Sequence, residues 1–139
     1  EKLLHECVAT EADIARSLFG PEAKAFCIIA EWDGAPAGFA LCFYNYSTFL
    51  GRAGIYIEDL FVRPEFRRKG IARALFQYLA KRACDEGCGR VEWWVLDWNQ
   101  PAIEFYKSLG AVAMDEWTVQ RLSGEALAAL ASNRSADSA

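Results

Sequence analysis

The densest chemical signal in the chain is Arg67-Arg68-Lys69-Gly70-Ile71-Ala72. It falls between an extended run closed by Pro64 and a helical pattern that starts after Gly70. The first amides of a helix have no partner inside it, and the helix dipole gives that end a partial positive charge. Gly70 lets the backbone curl tightly, Ala72 leaves the next contact unobstructed, and three cations stand at or just before the turn. Such a turn suits a pyrophosphate. The bland alternative is a basic loop with a convenient glycine. The pattern is neither the G-x-G-x-x-G of dinucleotide folds nor the G-x-x-x-x-G-K-[ST] of a P-loop.

Glu58-Asp59 is the second signal, because it interrupts the apolar run Ile55 to Val62. Carboxylates inside a buried strand are costly unless paired, hydrated or used. Adjacent strand residues face opposite sides. One of the two is therefore expected to face a substrate and the other to need a structural partner. Asn99, just before Pro101, reads as a helix N-cap and carries an amide that both donates and accepts. Tyr106, taken alone, reads as a helix-face aromatic packed on a sheet.

The elements that must position these residues follow from punctuation and periodicity. Thr10 caps a helix that ends near Gly20-Pro21. Ala25 to Trp32 and Ala37 to Tyr46 read as strands joined by the turn Asp33-Gly34-Ala35-Pro36, an antiparallel hairpin. Ser47 to Gly54 is a loop, and Ile55 to Val62 is a central strand. Gly70 to Glu86 is an amphipathic helix: Ile71, Leu75, Leu79 and Ala83 recur every four residues, with Ala74 and Tyr78 beside them. Gly87 stops it. Arg90 to Leu96 reads as a strand and Pro101 to Leu109 as a helix stopped by Gly110. Ala111 to Leu122 is expected to hold one or two strands, and Ser123 to cap a short last helix. This order describes a mixed α/β sheet flanked by helices. Residues 1–131 are read as one domain and 132–139 as a fraying tail.

Composition narrows the function classes. At 139 residues, 53% apolar and 24% charged, the chain has the make-up of one folded domain. A net charge of −4 argues against a nucleic-acid surface and fits a cationic substrate or plain solubility. The five cysteines are odd in number and His5 is the only histidine, so neither a disulfide framework nor a zinc site is expected. Free thiols in a reducing cytoplasm are the reading. No apolar run approaches the ~18 residues of a membrane span, and no secretory segment opens the chain. The first residue is Glu1 rather than Met, which leaves the natural start open.

Arg67-x-x-Gly70-x-Ala72 resembles the acyl-CoA pyrophosphate motif [Q/R]-x-x-G-x-[G/A] of the GNAT N-acetyltransferase superfamily. Glu58 to Arg67 looks like that family's central strand and turn. Leu96 to Ala102, followed by Phe105-Tyr106-Lys107-Ser108-Leu109-Gly110-Ala111, looks like its second signature. The resemblance runs from about Glu1 to about Leu130 and points to the diamine acetyltransferase-like subgroup, which includes polyamine and thialysine acetyltransferases. It implies a mixed, mostly antiparallel sheet splayed at the acyl-CoA site. It also implies acetyl-CoA as co-substrate, no metal, a small-molecule amine acceptor and a homodimer. By similarity, backbone groups of Leu60, Phe61 and Val62 pair with the pantetheine arm. The pyrophosphate sits on the amides of Arg68, Lys69, Gly70, Ile71, Ala72 and Arg73 in the turn headed by Arg67. Asn99, Gln100, Pro101 and Ala102 flank the coenzyme.

Acetyl transfer to an alkyl amine poses two proton problems. An amine of pKa ~10.4 arrives protonated, and the departing thiolate needs a proton or a counter-charge. The subgroup uses a strand glutamate acting through water and a helix tyrosine as acid, which fall here on Glu58 and Tyr106. A tyrosine near ~10 protonating a thiol near ~8.5 is uphill by about 2 kcal/mol, so the transfer must accompany C–S cleavage or the tyrosine pKa must be lowered. Glu92, Trp93 and Trp94 align with substrate-side positions, although at most one of two adjacent tryptophans on a strand can line a site. Glu1 aligns with a further acid. Ser47 stands where polyamine enzymes carry an acid, which favours thialysine, other lysine-like amines or short diamines over spermidine and spermine. The family's first strand and long helix, which precede the segment matching Glu1, have no counterpart in the chain. Two other readings stay open: a CoA-binding module of the same fold without catalysis, and a purely structural α/β domain.

Overall fold

The computed structural model describes residues 9–132, which divide between Leu96 and Asp97 into two units. The first opens with helix α1 (Glu11–Phe19). Thr10 and Asp13 cap it reciprocally, and the Thr10 N–H bond holds the Asp13 carboxyl below its ordinary pKa. Four strands follow: β1 (Phe26–Trp32), β2 (Ala35–Ser47), β3 (Arg52–Val62) and β4 (Val91–Trp93). They lie in the order β1-β2-β3-β4, antiparallel up to β3 and parallel between β3 and β4. The expected mixed, mostly antiparallel sheet is present.

The β1–β2 hairpin turns on Asp33 (φ 51°) and Gly34 (φ 82°) alone, because Trp32 already pairs with Ala35. Asp-Gly is the pair that tolerates two positive φ values in succession. Pro36, expected in the turn, sits inside β2, where the register shifts beside Glu31.

Helix α2 (Ile71–Asp85) covers one face of the sheet. Its Ile71, Leu75, Leu79 and Ala83 are buried as the four-residue repeat predicts, against Ala40 and Cys42 of β2 and Ile55 and Ile57 of β3. Tyr78, expected beside the stripe, is 52% exposed, and Ala74 is also exposed. Phe76 is buried instead, because the apolar face leans towards β4, where its ring lies 4.7 Å from that of Trp93. The helix ends in a paired lock: Cys88 N–H donates to Ala83 O at 2.8 Å and Gly87 N–H to Cys84 O at 3.2 Å, with Gly87 left-handed at φ 77°.

The second unit contains helices α3 (Gln100–Ser108) and α4 (Gly124–Ser132). Residues 111–122, expected to hold one or two strands, form none. An alternating pattern becomes a strand only when a neighbour completes its hydrogen bonds. The described part of this unit offers no other strand. Glu1 and the tail from residue 133 onward lie outside the described residues.

Candidate active site

The sheet opens at one residue. Opposite β3, Leu41 pairs with Asp59 and Cys42 with Ile57, so Glu58 has no partner on β2. Glu58 is the extra residue of a β-bulge. Two consequences follow from the geometry. The ladder between β3 and β4 ends at Ile57 and Trp93, just before the bulge, and the strand expected over Arg90 to Leu96 is cut to three residues. The inward parity of β3 also changes: Ile55 and Ile57 are buried before the bulge, whereas Leu60 and Val62 are the more covered residues after it.

The bulge overturns one expectation drawn from strict alternation. Glu58 points away from Ile57, and Asp59 shares the face of its partner Leu41. Both carboxylates therefore lie on the side opposite α2, and both are exposed. Neither is a buried strand charge, so the cost of burying a carboxylate does not arise at either.

Beyond the bulge the free edge of β3 carries specific groups. Arg63 N–H donates to Ala37 O at 2.8 Å. Alternation along an antiparallel strand then aims the amide groups of Phe61 and Arg63 at β2, and those of Leu60 and Val62 at the open edge. Arg67 is folded back on this edge: its Nε donates to Val62 O at 2.9 Å and its guanidinium lies 5.7 Å from the centre of the Phe61 ring.

The edge leads through a short 3-10 turn (Pro64–Phe66) into the glycine turn. Arg68 (φ 65°) and Gly70 (φ 81°, ψ 13°) are both left-handed. For arginine that conformation is unfavourable by roughly 1–2 kcal/mol. Two left-handed residues flanking Lys69 curl the backbone so that successive N–H groups can converge on an anion. Gly70 is the N-cap of α2, and no side chain caps the helix, so its first amides keep their donors for a ligand. Lys69 Nζ stands 5.3 Å over the Trp32 ring, while Arg68, Lys69 and Arg73 are exposed. The turn and the open edge form one continuous strip that fits a phosphorylated, amide-bearing chain such as acetyl-CoA.

The face of the sheet opposite α2 carries Phe43, Asn45 and Ser47 of β2, Tyr56 of β3 and Glu92 of β4, with Tyr56 paired to Phe43 on one side and Glu92 on the other. The Tyr56 ring lies 5.0 Å from Phe43 and 5.8 Å, edge-on, from Trp94. Burial, and then the charges of Glu58, Glu92 and Asp59, push the Tyr56 phenol up to about 12. Asn45 Nδ2 donates to Glu92 Oε1 at 3.3 Å. Ser47 Oγ accepts from Leu50 N–H at 3.2 Å, which ties the hydroxyl into the turn after β2. Trp93 points to the α2 side against Phe76, whereas Trp94 is 59% exposed on the Tyr56 side. Of the two, only Trp94 stands with Glu92. Sequence reasoning passed over Asn45 and Tyr56. The alternation Phe43-x-Asn45-x-Ser47 was the signal that one face carried polar groups.

In the second unit, Asn99 Oδ1 accepts from Ala102 N–H at 3.3 Å, so Asn99 is the N-cap of α3 and keeps its Nδ2 as a donor. Gln100 and Pro101 form the first turn, with Pro101 where its missing N–H leaves no gap. Tyr106 anchors the other end of the helix: its carbonyl accepts from Ala111 N–H at 3.1 Å, beside left-handed Gly110. Burial pushes the Tyr106 phenol above its ordinary pKa, opposite to the lowering that would ease the expected role as an acid.

Among the described residues no group of three His, Cys, Asp or Glu side chains stands together to hold a metal ion, and no helix is long and apolar enough to cross a membrane.

Residues 3–111 match the Acetyltransferase (GNAT) family. The L-ornithine N5-acetyltransferase of Arabidopsis thaliana is 50% identical over 98 residues, which are 70% of this chain and 43% of that protein. The chain thus spans less than half the length of this plant relative. The thialysine N-epsilon-acetyltransferase of Bos taurus is 37% identical over 142 residues, 94% of this chain and 83% of that protein. Among solved structures, an integron cassette protein from the mobile metagenome of V. cholerae superposes with a TM-score of 0.80 at 30% identity, over 94% of this chain and 83% of that one. An aminoglycoside N-acetyltransferase in complex with CoA shares the fold, with a TM-score of 0.60 at 23% identity over 70% of this chain and 75% of that one. A family match across most of the length thus falls on a strand–turn–helix already traced from its own hydrogen bonds, and the chain belongs to the GNAT family of acetyltransferases.

Proposed function

We propose that the chain transfers the acetyl group of acetyl-CoA to the primary amine of a small molecule, by direct attack of the amine. The observation that carries this reading is the strip formed by the edge of β3, open at Leu60 and at the Val62 N–H, and the uncapped turn at Arg68 to Arg73. An edge that offers amides, followed by a turn that offers N–H donors, matches a ligand with an amide arm and a pyrophosphate. The bound coenzyme supplies the acetyl thioester. Asn99 Nδ2 and the α3 start, Gln100 to Ala102, are assigned to the far side of the coenzyme by the resemblance.

Glu58 is assigned as the base, acting through water. Its exposure at the bulge supports access to water, which a base of this kind needs. Tyr106 is assigned as the acid. Because burial raises its pKa, its proton can leave only as the thiolate develops, not beforehand. Tyr56, with three carboxylates around it, stays a neutral phenol in the working pH range.

The acceptor is read as thialysine, another lysine-like amine or a short diamine. The two relatives described above are named for ornithine and thialysine, and Glu92 with Glu58 gives the open face negative charge suited to such amines. Ser47, Trp94 and Glu1 are assigned to the acceptor side by the same resemblance. We place the protein in a reducing cytoplasm as a homodimer, on its free thiols and on its similarity to the subgroup. The test is a panel of amines with acetyl-CoA, read by thiol release. Thialysine, ornithine and butane-1,4-diamine are expected to give higher kcat/KM than spermidine and spermine. A tenfold preference for spermine overturns the acceptor reading. Acetyl-CoA binding with no turnover on any amine favours a CoA-binding module.

A further inference from the structure

Asn45 reaches across an entire strand. It stands on β2 opposite Gly54 of β3, yet its amide donates to Glu92 of β4. The crossing is possible because Gly54 has no side chain: a Cβ there would lie 2.5 Å from Asn45 Oδ1. A part-buried hydrogen bond spanning three strands is an unusual expense for an ordinary surface glutamate. Glu92 has little else to hold it, since its other oxygen meets Arg90 only at 4.0 Å on the exposed edge, a separation at which surface pairs contribute little. The same face presents Tyr56 and Trp94, whose rings meet edge to face at 5.8 Å, and the two carboxylates of the bulge. A fixed carboxylate beside aromatic rings, with other carboxylates nearby, is the chemistry that recognises an alkylammonium.

We propose that Asn45 is a positioning residue: it fixes the Glu92 carboxylate so that it holds a second positive charge of the acceptor, while Glu58 serves the nitrogen that reacts. The proposal rests on the acetyltransferase reading above. The acceptor class it names is an amine with a second cationic nitrogen. A monoamine of equal length gains nothing from Glu92, and a freely rotating Glu92 would give up much of the selectivity, because an unclamped carboxylate must be ordered on each binding event.

The test compares butane-1,4-diamine with butan-1-amine, which differ by one ammonium group, in steady-state thiol release at fixed pH and salt. In the wild type the diamine has the lower KM. Asn45→Ala is expected to raise the KM of the diamine about tenfold more than that of the monoamine, the size of a hydrogen bond to a charged group. Asn45→Thr keeps a strand-forming residue but loses the reach, and should give the same shift if Asn45→Ala does not fold. Glu92→Gln should shift the ratio at least as far, and adding Asn45→Ala to it should shift the ratio no further. An equal rise in both KM values, no rise in either, or an additive double variant overturns the positioning role while leaving the acetyltransferase reading intact. A folded wild type that releases no thiol with either amine overturns the reading beneath it and the proposal together.

Discussion

The Nε of Arg67 donates to the carbonyl of Val62 at 2.9 Å. The residue that heads the glycine turn therefore spends its side chain on the strand end, which leaves backbone amides as the donors proposed for the phosphates. Arg67→Ala should lower stability by about 1 kcal/mol or less, a few degrees in Tm. It should weaken acetyl-CoA binding by less than about threefold in calorimetry. A loss of tenfold or more would mean that the guanidinium turns onto the phosphates when the coenzyme binds.

Gly70 separates conformation from charge. Nothing stands within 4 Å of a Cβ placed there, so the penalty of a side chain is its left-handed φ of 81°. Gly70→Ala should cost about 1 kcal/mol of stability. Gly70→Asp should be no less stable than that, because aspartate tolerates this conformation and suits a helix N-terminus. Its carboxylate would nevertheless occupy the anion seat, and acetyl-CoA binding should be abolished. A folded Gly70→Asp protein with unchanged affinity would remove the turn from the site.

Tyr106→Phe keeps the ring and deletes the proton. The kcat should fall by about 10²–10⁴-fold with coenzyme affinity nearly intact. Burial raises the pKa of Tyr106 above that of an ordinary phenol, so the group is protonated at neutral pH. Any alkaline decline in kcat that comes from Tyr106 should therefore lie at higher pH than the titration of an ordinary phenol. A wild-type kcat in the variant would reduce Tyr106 to packing.

Tyr56 makes the fold sensitive to base. Its pKa is about 12 in the folded chain against an ordinary 10, so its contribution to stability is complete below pH 10 and is lost as pH rises through 12. Burial raises the Cys42 thiol from 9 to about 11, which starts a similar loss one unit earlier. Melting temperature should decline from pH 9 upward. Tyr56→Phe should flatten that decline between pH 10 and 12 and leave the earlier part in place. An unchanged slope in the variant would show that Tyr56 titrates normally.

Elements written into local chemistry were legible from the sequence. Asp33-Gly34, the Gly87 and Gly110 stops, the Asn99 cap and the Ile71-Leu75-Leu79-Ala83 stripe each depend on residues a few positions apart. The motif at Arg67 to Ala72 was readable for the same reason. What escaped depends on partners distant in sequence. The bulge at Glu58 exists because β2 supplies one residue where β3 supplies two, and nothing in Ile55 to Val62 alone records that. The preference for Phe76 over Tyr78 as a core residue is set by Trp93 on β4. Asn45 meets Glu92 only because the sheet places Gly54 between them.

The extra residue at Glu58 also sets which kinds of change the site can absorb. Replacing Glu58 or Asp59 alters one side chain and leaves the strand in step. Deleting Glu58 removes the bulge: Asp59 then follows Ile57 directly, and the ladder with β2 runs unbroken from Cys42–Ile57 to Leu41–Asp59. The break at which the β3–β4 ladder ends would then lose its cause, although every residue of the glycine turn would still be present. A lengthening of β2 by one residue beside Leu41 would iron out the bulge in a different way, giving Glu58 a partner and closing the gap to β4. The feature that descendants of this chain must keep is thus a difference in length between two strands, which a comparison of letters position by position does not register.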